Sequence, residues 1–548
     1  MQIAFFILVV LVVVAISGAL ARLARLPLPV LQIAVGAALA WPVRGIHVEI
    51  DPELFLLVFI PPLLFGDAFA APKRELIALR RPILNLAFGL VFFTIVAFGY
   101  ALHWIVPSIP LAVGFALAAV LSPTDAVAIS SIVDKTLVPP RLMHILEGES
   151  LLNDASGLVM FRFAVAAALT GTFSLADASA SFMYAVLAGV LAGVLALFAC
   201  AKALKLLNRV SGVPAEAQVL VMILMPFVAY LAAEELGGSG ILAAVTAGLC
   251  ISLSGVFRHL NVSARMQTIS FWTTLTFVFN GAIFVMLGLQ LPDIIRAVPP
   301  ELRGNYPVIQ PILIVVALTA CLIGLRFIWI WTSEIVTAII ARLKGRAAET
   351  FGFRVRLAGS VAGVRGAITL AGILSLPLAM RDGSPFPARD LVIFLAAGVI
   401  ICSLLVATVA LPRIARGLVE PGEDAGALEE RRARVGAARA AIARLESMAG
   451  EGDAGEDEAA AARLAATENL IAGYRRRIAA ADDANDLRAE AREAGRLERE
   501  MRLAAIEAER LALRDMFRSG EINDHTLQAL FSEITLSEAL LNGRQARK

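Results

Sequence analysis

Long apolar runs recur along most of the first 418 residues, and most of them are long enough to cross a lipid bilayer as helices. They make 59% of the 548 residues hydrophobic and leave only 17% charged. The mean hydropathy of +0.78 is too high for a soluble protein of ordinary composition. We therefore predict an all-α polytopic membrane protein with about 13 transmembrane helices, numbered below as predicted spans 1 to 13. They cover residues 3–21, 28–43, 52–70, 83–106, 111–133, 142–171, 180–207, 215–236, 240–256, 268–291, 307–341, 357–379 and 390–416.

Basic residues are divided unevenly between the two sides of this arrangement. Eighteen Lys and Arg residues fall in loops on one side and five in loops on the other. Cytoplasmic loops carry the excess of basic residues, so the N-terminus is expected outside and the C-terminus in the cytoplasm. No basic residue precedes Arg22, which favours a first span over a cleavable signal. The expected location is the inner membrane of the cell, with multiple passes.

The composition changes sharply near Glu420. From that residue onward 46 of 129 residues are charged, 26 acidic and 20 basic. We predict a transmembrane domain over residues 1–418 and a cytoplasmic helical tail over 419–548, either regulatory or forming a short coiled coil. The net charge of +2 averages the two parts and gives no sign of nucleic-acid binding. Cys and His residues are scattered, so neither a cofactor nor a resident metal is expected.

Two predicted spans are interrupted near their centres. Residues 121–125, Leu-Ser-Pro-Thr-Asp, break span 5, and residues 362–366, Ala-Gly-Val-Arg-Gly, break span 12. Such breaks free backbone groups that lipid cannot satisfy, so they are tolerated only where they face protein or water. They lie seven spans apart, which predicts two inverted six-helix repeats joined by span 7. Paired breaks of this kind indicate the central site of a transporter.

Polar residues at the start of span 6 stand beside the first break. Ser150 and Asp154 are four residues apart and share one helix face, while Glu149 and Asn153 share the neighbouring face. Thr124 and Asp125, on the break, add hydroxyl and carboxylate oxygens. Such oxygens are ligands for a hard cation, and the carboxylates also bind protons.

A buried Glu149 needs a positive partner. Arg326 lies at the middle of span 11 and Arg365 at the break of span 12, and their positions in the sequence do not choose between them. Arg162 lies eight residues beyond Asp154, toward the outer surface, and is expected to snorkel or to make an outer contact.

Three segments carry a family resemblance. Ser-Pro-Thr-Asp-Ala-Val at 122–127, Glu-Gly-Glu-Ser-Leu-Leu-Asn-Asp at 147–154 and Gly-Val-Arg-Gly-Ala-Ile at 363–368 resemble the signatures of monovalent cation/proton antiporters of the bacterial NhaP and animal sodium/proton exchanger type. The resemblance runs over residues 1–418. It implies a homodimer in which spans 1–3 and 8–10 form the dimer domain. Spans 4–6 and 11–13 would form a moving core, inside which the two broken helices cross.

The same resemblance implies roles for the polar residues of the breaks and of span 6. Asp154, Asp125, Thr124 and Ser150 match the family's cation- and proton-binding residues. Glu149 matches a glutamate that pairs with an arginine on the eleventh helix.

Other positions match supporting roles. Arg326 is favoured as the partner of Glu149, and Arg365 is expected to be a supporting residue. Asn153 resembles the electroneutral branch, which exchanges one cation for one proton. Asp67 stands one position late relative to the family's acidic residue on the third helix, so it is either part of the cation path or a charge at the cytoplasmic end.

These observations predict a secondary transporter and not an enzyme. It would exchange Na⁺, or K⁺ or Li⁺, for H⁺ by alternating access, with electroneutral 1:1 stoichiometry, for pH and cation homeostasis. The expected partners are the lipid bilayer and a second copy of the chain. A K⁺/H⁺ antiporter is the main alternative. A cation channel is a weaker one, because no Thr-Val-Gly-Tyr-Gly filter is present. The chain also lacks a His-Glu-x-x-His motif of a membrane metalloenzyme.

Overall fold

The structure is a computed structural model of the chain and forms two compact units, Met1–Glu420 and Pro421–Lys548, which are described separately. The residues that it describes are 2–24, 26–41, 52–133, 137–171, 175–209, 213–251, 254–296, 309–345, 351–380, 382–418, 425–450, 458–479 and 485–542.

The first unit is helical almost throughout its described residues, with one isolated β-bridge between Ala379 and Pro385. Its helices are α1 (Gln2–Ala24), α2 (Leu28–Ala40), α3 (Pro52–Ala70), α4 (Lys73–Ala78), α5 (Arg80–Ile105), α6 (Leu111–Leu121), α7 (Ala126–Ile132), α8 (Pro140–Thr170), α9 (Leu175–Leu207), α10 (Ala215–Glu235), α11 (Gly240–Cys250), α12 (Val262–Arg296), α13 (Ile309–Leu343), α14 (Phe353–Val361), α15 (Ala367–Leu374) and α16 (Arg389–Ala415).

Eight of the described helices are long and apolar enough to cross a membrane by themselves. The pair α6 and α7 passes the same test together, while α2 and α11 are shorter apolar helices of 13 and 11 residues. The predicted all-α polytopic membrane fold is confirmed. The count of 13 spans and the inverted repeat stay predictions.

Both predicted breaks are present. α6 and α7 are bent by 52° across Ser122–Asp125, and α14 and α15 are separated by residues 363–366, which form no regular secondary structure. A third irregularity was not predicted from the sequence. Residues Asn85–Leu90 of α5 form a π-helical turn, and the Ser156 hydroxyl of α8 donates to the Ala87 carbonyl of that turn at 2.7 Å. The π turn therefore packs against the helix that carries the polar cluster.

The helices of the first unit form two groups by their mutual packing. We call α1–α3 and α10–α12 the scaffold group, in which α2 packs along α12 and α3 along α11. We call α5–α8 and α13–α16 the core group, in which α6 packs on α8 and α13 on α14 and α16. α2 and α12 are in backbone contact, because a Cβ on Gly36 would lie 2.2 Å from the Val285 carbonyl oxygen. A side chain at this position would separate the two helices.

The second unit consists of α17 (Ala425–Gly450), α18 (Glu458–Ala479), α19 (Asn485–Arg518) and α20 (Asp524–Asn542) among its described residues. α17 packs on α18 and α19 packs on α20. Ile506 of α19 and Ile534 of α20 are buried, and Arg510 pairs with Glu538 at 2.5 Å. These contacts form helical hairpins. A regulatory role or a coiled coil stays a prediction.

Candidate cation site

A small cavity of about 30 Å³ lies where the scaffold group meets the core group. This volume is enough for a water molecule or a largely dehydrated monovalent cation. The scaffold side contributes α3 and α12, and the core side contributes both breaks together with α8. The lining residues are Leu63, Asp67, Pro123, Thr124, Asp125, Ser150, Asp154, Asn280, Gly366, Ile368 and Thr369.

The two breaks meet at this cavity. The backbone N–H of Asp125 donates to the Val364 carbonyl at 2.8 Å, which joins the first break directly to the second. The Asp125 carboxylate caps α7 by accepting from the backbone N–H groups of Val127 and Ala128 at 2.8 and 3.0 Å. Ser150 accepts from the backbone N–H of Ala126 at 3.3 Å. The backbone N–H groups that the break leaves without helical partners therefore donate to other protein atoms, as the hydrocarbon interior of a membrane requires.

Arg365 holds the crossing together. Its guanidinium donates to the Leu121 carbonyl at the end of α6 (2.8 Å) and to the Gly363 carbonyl of its own break. Its backbone N–H donates to Ser403 of α16 at 3.3 Å. The charge stands at the negative end of α6, where a cation is favoured. Arg365 thus hydrogen-bonds to backbone carbonyls at both breaks.

Gly366 provides the close approach between the breaks, and its replacement by Ala is expected to disrupt the cavity. A Cβ there would lie 1.9 Å from the Asp125 Oδ2 atom and 2.4 Å from the Asp125 Cβ. Gly366→Ala should lower stability by about 1–3 kcal/mol through overpacking and reduce cation transport. Gly324→Ala is the matched control, because nothing lies within 4 Å of that site on α13. Thermal unfolding and vesicle transport would be measured for both variants, and equal behaviour would contradict this geometry.

Glu149 pairs with Arg326, not with Arg365. The guanidinium of Arg326 on α13 makes a two-pronged contact with the Glu149 carboxylate of α8, and its second prong is 2.6 Å long. Arg326 also donates through Nε to the Gly359 carbonyl of α14 at 2.8 Å. Glu149 is 1% exposed and Arg326 is 2% exposed. The pair therefore links three core helices and is shielded from solvent.

Thr124 and Asn153 connect the first break to this ion pair. The Asn153 amide donates to the Thr124 hydroxyl at 3.0 Å, and that hydroxyl donates to Glu149 at 3.4 Å. Thr124 therefore lines the cavity while its hydroxyl is shared with the supporting residues. The Asn153 Oδ1 atom is buried and has no hydrogen-bond partner among the described residues.

Asp154, Ser150 and Asp67 line the cavity from two opposite helices. Asp154 of α8 is buried, and Asp67 of α3 is partly exposed. Asp67, in the last turn of α3, thus lines the cavity. Together with Asp125, the structure places three carboxylates around one small space.

Two polar residues of the lining, Asn280 and Thr369, were not predicted from the sequence. Asn280 is a single amide in the apolar run Phe-Val-Phe-Asn-Gly-Ala-Ile-Phe, and an isolated polar residue in a membrane span is a usable signal. Thr369 follows the second break by three residues. Neither carries a charge, so neither was singled out.

Arg162 lies outside the cavity. Its guanidinium pairs with Glu234 of α10 at 3.0 Å, and its side chain is 52% exposed. This is a contact near the far end of α8, away from the cytoplasmic loops of the predicted topology.

The lining offers oxygen atoms almost exclusively as polar ligands. Carboxylates come from three aspartates, hydroxyls from Thr124, Ser150 and Thr369, and an amide oxygen from Asn280. Hard monovalent cations and protons both bind such groups, and a cation and a proton can compete for the same carboxylate. The arrangement is suited to exchange of a cation for a proton at one site.

Comparison with known proteins agrees with this chemistry. The family model described as sodium/hydrogen exchanger, transmembrane, matches residues 8–417. The chain belongs to this family. It is a secondary transporter and not an enzyme, and the family resemblance inferred from the three motifs is confirmed.

Individual relatives extend over different parts of the chain. An Escherichia coli protein named as an uncharacterized Na⁺/H⁺ exchanger, YjcE, is 43% identical over 548 residues, covering 99% of both chains. A sodium, potassium, lithium and rubidium/H⁺ antiporter of Bacillus subtilis is 44% identical over 418 residues, which are 75% of this chain and 61% of the relative. The sodium proton antiporter MjNhaP1 of Methanocaldococcus jannaschii shares the fold, with a TM-score of 0.57 at 18% identity over 77% of this chain and 99% of that one.

Proposed function

We propose that the protein exchanges a monovalent cation for H⁺ across the membrane at the cavity between the scaffold and core groups. The observation that carries this proposal is the meeting of Asp67, Asp125 and Asp154 in one small oxygen-lined space. Three carboxylates repel one another at such close quarters, and binding of either a proton or a cation relieves that repulsion. Competition between the two ions for this space couples their movements.

The position of the cavity supports alternating access. Asp67 and Asn280 belong to the scaffold group, whereas Asp125, Ser150 and Asp154 belong to the core group. Movement of one group against the other would carry the cavity from one side of the membrane to the other. In this mechanism the two breaks, which Arg365 ties together, move as one body. The cation ligands that they carry therefore keep their relative positions.

We further propose a 1:1 electroneutral exchange, in which one cation displaces one proton from the cavity. The charges of Glu149 and Arg326 cancel in a buried pair, so the pair adds no net charge to the moving core. The cavity then carries one positive charge in either direction, as a cation or as a proton. Asn153, which is uncharged, holds Thr124 and adds no further titrating group.

Na⁺ is the proposed cation, with K⁺ and Li⁺ as alternatives. The Bacillus subtilis relative is named for transport of all three and of rubidium, which favours a broad cation range. We further propose a homodimer in the cell inner membrane, with the N-terminus outside and the C-terminus in the cytoplasm. The uneven distribution of loop charges supports this orientation. The physiological role would be pH and cation homeostasis.

Transport by purified protein in sealed vesicles tests this function. Imposed gradients of Na⁺, K⁺ or Li⁺ should each be measured against an internal pH dye, with and without a membrane potential. We expect cation-dependent proton movement whose rate does not change with the potential. The apparent affinity for the cation should rise with pH, because fewer protons then compete for the carboxylates.

Three results of the same assay would contradict parts of this proposal. Cation flux without a counter-flow of protons would show a channel. A rate that follows the imposed potential would show unequal charge movement. An apparent affinity that does not depend on pH would show that the ions do not compete.

A further inference from the structure

Two facing rows of side chains connect the cation cavity to the far end of α8. On α8, Ser150, Asp154, Leu158 and Arg162 are each four residues apart and lie along one face. On α3, the residues Leu56, Ile60, Leu63 and Asp67 follow a matching helical spacing. At the cation cavity the rows carry Ser150, Asp154 and Asp67, and beyond it they are apolar as far as Arg162.

A second small cavity of about 30 Å³ lies between these rows, one helical turn beyond the cation cavity. Its walls are apolar except for Arg162, Tyr230 and Ser375. Ile60 is 1% exposed and Phe161 is 4% exposed, so tightly packed side chains enclose this cavity. In the predicted topology this is the outer side. The lining residues are Leu56, Ile60, Leu158, Phe161, Arg162, Tyr230, Ile241 and Ser375.

A much larger cavity of about 520 Å³ begins on the other side of Arg162. It lies between α8, α9 and the turn that joins α10 to α11, and its polar lining includes Ser181, Tyr184 and Ser239. Arg162 lines both this cavity and the small one. Its side chain therefore forms a wall between the larger cavity and the small one.

Glu234 holds that wall in place. Its carboxylate accepts from the Arg162 guanidinium at 3.0 and 3.2 Å and from the backbone N–H of Gly240 at 3.2 Å. The turn that follows is itself fixed, because the Tyr184 hydroxyl donates to the Leu236 carbonyl at 2.8 Å. The pair spans the boundary between the groups, with Arg162 in the core group and Glu234 in the scaffold group.

The depth of the pair fits an entrance. Arg162 is eight residues beyond Asp154, which is about 12 Å along a helix. With Asp154 at the bilayer midplane, as the proposed transport implies, the guanidinium would lie near the outer edge of the hydrocarbon, because half of the hydrocarbon core is about 15 Å thick. A partly exposed ion pair stabilises only weakly, and this suits a contact that must break in each transport cycle.

We propose that Arg162 and Glu234 form the outer gate of the ion path, closed when they pair and open when the core group moves away from α10. This inference rests on the proposed alternating access. It assigns a role to two residues that do not bind the transported ion.

Cysteine labelling tests the gate without measuring transport. Ser375→Cys places a thiol in the small cavity, in a background whose four native cysteines are replaced by alanine. A membrane-impermeant, cationic thiol reagent is then added from the outer side. We expect Arg162→Gln or Glu234→Gln to raise the labelling rate about threefold to fivefold. Gln at 234 can still accept from Gly240, so only the ion pair is lost.

The double variant and a control separate a gate from a general loosening of the fold. The double variant should label no faster than either single variant, and the exchange Arg162→Glu with Glu234→Arg should restore slow labelling. Arg296→Gln is the control, because Arg296 pairs with Asp293 at a similarly exposed end of α12. A second reporter, Ile368→Cys, places a thiol in the cation cavity. Reagent added from the cytoplasmic side should label this thiol no faster when Arg162→Gln or Glu234→Gln is also present.

The gate is contradicted if Arg162→Gln labels from outside at the rate of the wild-type pair or of Arg296→Gln. Additive increases of the labelling rate in the double variant, or faster labelling from both sides of the membrane, would also contradict the gate. The ion pair would then only stabilise the fold. Because labelling needs no ion flux, these outcomes are distinct from failure of the proposed transport, which vesicle assays report.

Discussion

Asp154→Asn is expected to abolish exchange of cations for protons while leaving the protein folded. Asp154 is buried at the cavity where α3, α8 and both breaks meet. The amide has nearly the same shape as the carboxylate but can neither release a proton nor balance a cation. Removing a buried charge also spares the free energy of desolvation, so thermal stability should be kept or raised. Transport would be measured in vesicles with a pH dye, and stability by thermal unfolding.

A matched substitution tests the specificity of this result. Asp382 lies in an exposed loop of the same unit, where its carboxylate accepts from the backbone and side chain of Ser384. Asp382→Asn should transport at the wild-type rate. Asp125→Asn should behave as Asp154→Asn does. Transport by Asp154→Asn at the wild-type rate would contradict binding of the exchanged ions in this cavity.

Arg326→Met is expected to have the largest effect on stability. It would leave the Glu149 carboxylate buried and without its cationic partner, and it would remove the hydrogen bond to the Gly359 carbonyl. Breaking a buried ion pair on one side costs about 3–5 kcal/mol of folding free energy. The midpoint of thermal unfolding should therefore fall strongly, and transport should fall with it.

Removal of the second charge should recover part of the loss. In the double variant Arg326→Met with Glu149→Gln no uncompensated charge remains, so it should be more stable than Arg326→Met alone. Arg342→Met is the control, because Arg342 is exposed at the end of the same helix. An Arg326→Met protein as stable as Arg342→Met would show that the ion pair does not hold α8, α13 and α14 together.

Much of the membrane fold could be predicted from the sequence, because the bilayer imposes length and polarity on every span. Apolar runs located the helices, and Pro123 and the glycines of residues 362–366 located both breaks. The spacing of Ser150 and Asp154 predicted that they share a face, and both line the cavity. Charge alone also drew attention to Arg326 and Arg365.

Contacts between distant elements could not be predicted in this way. Spacing along one helix does not say which arginine faces Glu149, and only the packing of α13 against α14 resolves it. The π turn in α5 has no marker in its apolar sequence, Asn-Leu-Ala-Phe-Gly-Leu. Asn280 joins the site because α12 passes beside the breaks, which no local pattern reveals.

In the proposed mechanism, a cation and a proton compete for the carboxylates of one cavity. Proton release by purified protein on addition of Na⁺, K⁺ or Li⁺, followed with a pH dye in weakly buffered solution, tests it most directly. Proton release should saturate with cation concentration and should disappear in Asp154→Asn. Cation binding without proton release, or equal release by wild-type protein and Asp154→Asn, would contradict it.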